Sequence, residues 1–397
     1  MHNGVMQPSS SRPLRSARWH QPAVRGIVYQ VLAVGAVGLL AWFLISNTLA
    51  NLHSRNIASG FGFLNGEAGF AIGESVIAYS PQDSVGRAIL VGLFNTLKIA
   101  AVGIVLSTIL GTLVGIARLS KNVLVAKLAA AYVELVRNVP LLLQLFFWYA
   151  LVTEHLPGPR QALNPLPGVF LSNRGMKIPT PVDHIALDFA LAGLFIAIAL
   201  CLLVANIARR RQAATGQRLP VLRIGLAMLV GLPLLGWVIG GAPLALDVPR
   251  LQGFNFTGGA TLSPEFAALL AGLVFYTTAF TAEVVRAGIQ SVSTGQWEAA
   301  GSIGLSRGLA LRLVVLPQAL RVIVPPMTSQ FLNLTKNSSL AIAIGYPDLV
   351  SVVNTTMNQS GQAIESILII MGAYLVVSLS ISFAMNAYNR RIALTER

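Results

Sequence analysis

The sequence predicts an all-α integral membrane protein with about eight transmembrane helices. Three observations carry this. Of the 397 residues, 54% are hydrophobic and only 11% are charged, against about 25% charged in a soluble globular domain. Several apolar runs reach the roughly 20 residues that a helix needs to cross a bilayer. Strands of a membrane barrel would instead alternate and be about half as long. The basic residues also gather in alternate gaps between the runs, as the positive-inside rule requires.

The first apolar pass runs from about 26 to 50. Its core is longer than a signal-peptide h-region, and no small-x-small site follows Asn47, so it reads as an uncleaved anchor. The second covers about 88–117. The third, about 123–152, is broken near Asn138-Val139-Pro140. The fourth and fifth cover about 185–207 and 222–241, the sixth about 263–289. The seventh, about 313–345, is interrupted by Pro317, Pro325, Pro326 and Lys336. The eighth covers about 367–388.

A net charge of +14 invites a nucleic-acid reading, but the placement of the charges argues for topology. Arg12, Arg15, Arg18 and Arg25 precede the first pass. Arg118, Lys121 and Lys127 separate the second and third. Arg209, Arg210, Arg211, Arg218 and Arg223 separate the fourth and fifth. Arg286, Arg307 and Arg312 flank the loop at about 291–320, and Arg390, Arg391 and Arg397 close the chain. The alternate loops are poorer, with Arg160, Arg174 and Lys177 in one and only Arg250 in another. Both termini and the 291–320 loop therefore come out cytoplasmic. The single cysteine, Cys201, permits no disulfide within the chain. The histidines show no metal-ligand spacing, and no lysine follows a glycine, which excludes a phosphate-cradling P-loop.

The 291–320 loop has more internal design than a linker needs. Ser293-Thr294-Gly295-Gln296 has the form of a capping box, and Glu298 is expected in the first turn, where a negative charge suits the helix dipole. Gly304 is placed to end the helix in a left-handed turn. Ser306 can cap a second helix toward Leu316, with Pro317 as the next break. Glu298-Ala299-Ala300 alone would fit an ordinary connecting loop, since Glu and Ala are simply good helix formers.

The full spacing is more specific. Gln296-Trp297-Glu298-Ala299-Ala300, Gly304, Leu305, Ser306 and Leu316-Pro317-Gln318-Ala319-Leu320-Arg321 resemble the EAA loop of binding-protein-dependent ABC importer permeases, closest to the polar amino acid branch. Pro325-Pro326 and Leu334-Thr335-Lys336-Asn337-Ser338-Ser339-Leu340 continue the resemblance. So do Gly92, Asn95-Thr96-Leu97, Gly111, Gly115, Tyr132, Glu134 and the stretch from Arg137-Asn138-Val139-Pro140 through Phe146.

The resemblance covers about 87–155 and 263–392. It implies a type I ABC importer permease core in which Glu298, Ala299, Ala300 and Gly304 couple to a separate ATPase. Residues 1–86 then form a basic tail, an anchor and a periplasmic segment. Residues 87–155 form the first part of the core, 156–262 an insertion with two extra helices, and 263–397 the second part. Two extra passes keep the inside/outside parity of everything downstream. The longer build is similar to the membrane subunits of general L-amino acid importers.

The function implied is an inner-membrane permease subunit for amino acids. It is not an enzyme and has no cofactor of its own, since ATP is used by the partner. The implied partners are a dimer of ABC ATPase subunits, a second permease that is a copy or a paralogue, and a periplasmic amino-acid-binding protein. No nucleic acid is implied. An importer of another small polar solute and an ion-gradient-driven secondary transporter remain open. No inverted repeat supports the latter.

Ionisable residues inside a membrane are functional candidates because each costs several kcal/mol unless paired or hydrated. Glu283 with Arg286, and Glu134 with Arg137, have i,i+3 spacing and are expected to pair. Lys98 is expected to snorkel outward. Lys336 sits with Asn333, Asn337, Ser338 and Ser339 beyond a proline-broken stretch, which suits either a polar transport path or a structural kink. Lys336, Asn337, Asn333, Thr277 and Gln144 are therefore the substrate-path candidates, with Thr278 beside them.

Overall fold

The computed structural model describes residues 22–54, 60–182, 184–216, 219–242 and 245–392. Arg12, Arg15, Arg18, Arg218 and Arg397, used above for topology, lie outside them. Among the described residues there are twelve α-helices: α1 Pro22–Ser54, α2 Val85–Ala117, α3 Val123–Asn138, α4 Leu141–Ala150, α5 Ile185–Thr215, α6 Val221–Ile239, α7 Pro264–Gln290, α8 Thr294–Ser302, α9 Arg307–Ala310, α10 Leu316–Asn337, α11 Leu349–Ser360 and α12 Ala363–Ile392.

Among the described residues, six helices are long and apolar enough to cross a membrane, and α3 with α4, bent by 104°, makes a seventh span if counted as one. The remaining expected pass, the fifth, is α6, apolar but only 19 residues long. The 104° bend falls at the expected Asn138-Val139-Pro140 break, where Val139 is extended and Pro140 caps α4.

The core is built from α2, α7, α10 and α11. Glycines let the backbones approach: a Cβ at Gly115 would sit 2.8 Å from the Ala282 carbonyl, and one at Gly111 would run into Thr281. Ile99, Leu145, Leu269, Leu273 and Tyr346 fill the centre, all fully buried. Val85, Ala88, Leu349 and Val353 close the end where the chain enters α2.

Eight short strands among the described residues are added to the helical plan. β1 Leu163–Leu166, β2 Val169–Ser172, β3 Gly175–Ile178 and β8 Ala260–Leu262 form an antiparallel sheet in that order. β4 Thr180–Pro181 pairs with β5 Leu246–Asp247, and β6 Arg250–Gln252 with β7 Asn255–Thr257. The turn-rich sequence here hides strands of two to four residues, too short for a periodicity signal. Gly175, at φ +96°, is obligatory because a Cβ there would strike the Leu262 carbonyl across the sheet. Phe170 on β2 stacks on Phe256 of β7, centroids 4.6 Å apart. α5 leaves this platform and α6 returns to it. α7 also starts from it, capped by Ser263, and ends at α8.

Candidate functional site

α8 ends as the sequence leads one to expect. Gly304 has φ +79°. The Leu305 N–H donates to the Ala300 carbonyl (3.1 Å) and the Gly304 N–H to that of Gly301 (2.9 Å), a complete Schellman closure. Two details differ at its start. Ser293 occupies the N-cap position, but its side chain makes no cap bond, and the helix begins at Thr294. Gln296 instead reaches sideways, its Oε1 accepting from Gln318 Nε2 at 3.1 Å. Glu298 consequently lies beyond the first turn, leaving no acid there.

Pro317 does not break the chain. α9, a single π-helical turn Leu311–Val315 and α10 run on as part of one 38-residue stretch. The wide turn, in which the Leu316 N–H reaches the Leu311 carbonyl, shifts the hydrogen-bond register just where proline has no N–H to give. Pro325 and Pro326 also lie within α10, so the expected break moves to the 3-10 segment Ser338–Ile344.

Ala300 is buried, whereas Glu298 and Ala299 are exposed and Ile303 at the tip is 76% exposed. Trp297 anchors the helix against Val285, Val292, Val315, Ala319 and Ile323. The helix is therefore clamped to α7 and α10 while its outer face stays free. Beside it opens a recess of about 790 Å³, lined in part by Lys121, Trp297, Glu298 and Arg307.

The charged residues find partners that spacing alone misses. Glu283 pairs with Arg286 as expected, and Arg118 from the end of α2 joins the same carboxylate. Arg286 Nη1 also donates to Gln290 Oε1 at 2.6 Å. This network ties α2 to α7 next to the loop. Glu134 and Arg137 do not pair; Arg137 lies over the Phe280 ring, 5.1 Å from its centroid. Aromatic stacking satisfies a guanidinium at lower desolvation cost than a carboxylate.

Lys98 turns inward rather than snorkelling. Its Nζ lies 2.5 Å from Glu74 Oε1 and 4.3 Å from the centroid of Phe266. Glu74 also accepts from Ser263 Oγ at 2.6 Å. The segment preceding α2 thus supplies the counter-ion.

The path candidates do not converge on one site. Gln144 is buried and donates to the Val136 and Val139 carbonyls (2.9 and 3.0 Å), mending the hydrogen bonds lost at the α3–α4 bend. Thr277 and Thr278 are buried within α7. Asn333 and Lys336 are exposed and Asn337 is half-buried, while Leu334, Thr335 and Ser338 face the core. At i, i+3 and i+4 the first three form one stripe, pointing away from this chain's own interior. Asp348, the N-cap of α11, went unnoticed in the sequence. It is fully buried, accepts from the Ser351 N–H at 2.9 Å, and burial pushes its carboxyl up to about 7.

Residues 103–394 match the family described as binding-protein-dependent transport system inner membrane component. The chain is 48% identical over 391 residues to the general L-amino acid transport system permease protein AapQ of Rhizobium johnstonii, spanning 97% of this chain and 98% of that one. It is 50% identical over 384 residues to the putative amino-acid ABC transporter permease protein YhdX of Escherichia coli, spanning 96% and 98%. The crystal structure of an amino acid ABC transporter with histidines superposes with a TM-score of 0.46 at 20% identity, over 77% of this chain and 94% of the other.

Proposed function

The chain belongs to the family of binding-protein-dependent transport system inner membrane components, and we propose that it is the membrane-spanning permease subunit of an ATP-driven amino acid importer. The observation that carries this is the α8 turn. A Schellman-closed helix presents Glu298, Ala299 and Ile303 outward, while Trp297 and Ala300 fix it to the helices that form the core.

In this reading an ATPase dimer grips the α8 face in the cytoplasm. Closure of the dimer on ATP displaces α8, and the displacement passes into α7 and α10 through the apolar cluster around Val315 and Ile323. It passes into α2 through the Arg118–Glu283 pair. Close-packed helices move as bodies rather than deform, so a small shift at the loop becomes a tilt of the bundle. One chain offers one loop, so a dimeric ATPase calls for a second permease, a copy or a paralogue. The outward polar stripe of Asn333, Lys336 and Asn337 suits a path between the two. Both termini are cytoplasmic in this scheme, and an amino-acid-binding protein delivers cargo from the periplasm. ATP is the partner's cofactor, and this chain carries none.

The test is uptake into proteoliposomes holding the permease pair. Uptake is expected only with the ATPase subunit and ATP present. Uptake driven by an ion gradient without ATP would overturn the reading. Reporter fusions after Arg211 and Arg307 are expected to report cytoplasm, and fusions near Pro165 and Pro249 periplasm; opposite sides for Arg211 and Arg307 would refute the two-pass insertion.

A further inference from the structure

We propose that the recess between Arg160, Arg174 and Phe254, on the platform built by the inserted segment, docks a carboxylate on the surface of the soluble substrate-carrying partner. The inference rests on the topology proposed above, which puts this platform on the periplasmic face. Basic residues are disfavoured there, yet the strands and turns of the platform carry Arg160, Arg174, Lys177 and Arg250. Among the described residues the only acid in the strands is Asp247, and its Oδ2 accepts from the Gly259 N–H at 2.8 Å. Lys177 is tied to Thr261. Arg160 and Arg174 have no carboxylate partner among the described residues, although both line one recess of about 220 Å³.

The recess is preorganised. The guanidinium carbon of Arg160 lies over the Phe254 ring, 3.9 Å from its centroid, a cation–π contact that leaves the charge without a carboxylate and able to take a bidentate acceptor. Arg174 Nη1 donates to the Phe254 carbonyl at 3.5 Å, so both cations are held by one residue of the β6–β7 turn. That turn is locked to the sheet by Phe170 and Phe256. Phe254 itself is 70% exposed. An exposed aromatic beside two unpaired arginines is the composition of a protein–protein hot spot. Two like charges at one recess repel until an anion arrives between them. The platform stands beyond the start of α7, where a water-soluble partner reaches it.

The test uses the assembled transporter in nanodiscs and its amino-acid-loaded binding protein, with ATP hydrolysis as the readout. Arg160→Glu with Arg174→Glu is expected to raise the binding-protein concentration for half-maximal stimulation by about tenfold or more, at an unchanged maximal rate, because rim charges act mainly on association. Its salt dependence between roughly 50 and 200 mM is expected to flatten. Arg160→Gln with Arg174→Gln, which keeps size and adds no repulsion, is expected to show a smaller shift in the same direction and covers the case in which the reversal disturbs folding. A half-maximal concentration within about twofold of the unmodified complex in both variants would overturn the proposal. A shift seen only in nanodiscs containing anionic lipid would assign the pair to headgroups and overturn it as well. Failure of the unmodified complex to respond to any binding protein would instead sink the importer reading on which the proposal stands.

Discussion

The core and the α5–α6 pair are both built of long or apolar helices, but they are held together differently. In α7, 61% of the most apolar window is buried inside the chain, against 11% in α5. α7 touches α2, α3, α4 and α10, whereas α5 packs chiefly on α6. The core keeps buried polar groups and ion pairs that reach between distant segments, such as Arg118 with Glu283 and Lys98 with Glu74. The α5–α6 hairpin is closed by small residues such as Gly193 and Gly240 and turns apolar side chains outward. The core helices are lashed to several neighbours, whereas α5 and α6 chiefly hold each other.

The largest expected effect breaks the comparison directly. Gly111→Val places a branched side chain against Thr281 at the α2–α7 contact, an overpacking cost of about 3 kcal/mol. Gly231→Val in α6, where a new Cβ meets nothing within 4 Å, is expected to leave membrane levels unchanged. Equal levels of the two variants on membrane immunoblots would show that the core is no more tightly constrained than the insertion.

The second change addresses coupling. Gly304→Asp strains a residue at φ +79° and adds a charge to the exposed turn after α8. Transport is expected to fall at least about tenfold, with the protein still in the membrane. Normal uptake at normal protein level would remove the docking role of α8.

The third sharpens the outward face of α10. Lys336→Met is expected to lower uptake by severalfold while assembly with the ATPase, read by co-purification, stays intact. A cysteine at position 337, with Cys201 replaced, is expected to react with water-soluble thiol reagents and to be slowed by substrate. An inert position 337 together with normal transport by Lys336→Met would place the stripe against lipid or structure.

The smallest effect is a pH dependence. The Asp348 carboxyl has its folded-state pKa raised from 3.8 to about 7. Between those values the folded chain holds a proton that the unfolded chain has lost, so stability falls as pH rises from about 4 to about 7 and is flat above. Asp348→Asn keeps a good cap and is expected to flatten that slope, gaining a few degrees of apparent Tm at pH 8 relative to pH 5. An unchanged slope would mean that Asp348 is ionised throughout.

What the sequence determined by itself is what contiguous residues encode. The length of an apolar run is a local property, and the run lengths read correctly as a multi-pass helical protein. The α3–α4 break at Pro140 and the left-handed residue at Gly304 were legible because proline and glycine fix backbone angles wherever they stand. The spacing from Gln296 to Arg321 carried the family for the same reason.

What only the tertiary structure decided is who meets whom. Arg118 and Glu283 stand 165 positions apart, and Lys98 finds Glu74 in a segment outside the passes. Arg137 prefers the face of Phe280 to the acid one turn away. Pro317 is absorbed by a π turn whose last residue, Val315, is fully buried in the apolar cluster under α8. The side of α10 that carries Asn333 and Lys336 became outward only once Leu334, Thr335 and Ser338 were drawn into the core. Propensity acts over a few residues of backbone, whereas burial and charge pairing act through space, and the chain brings those partners together only when the bundle closes.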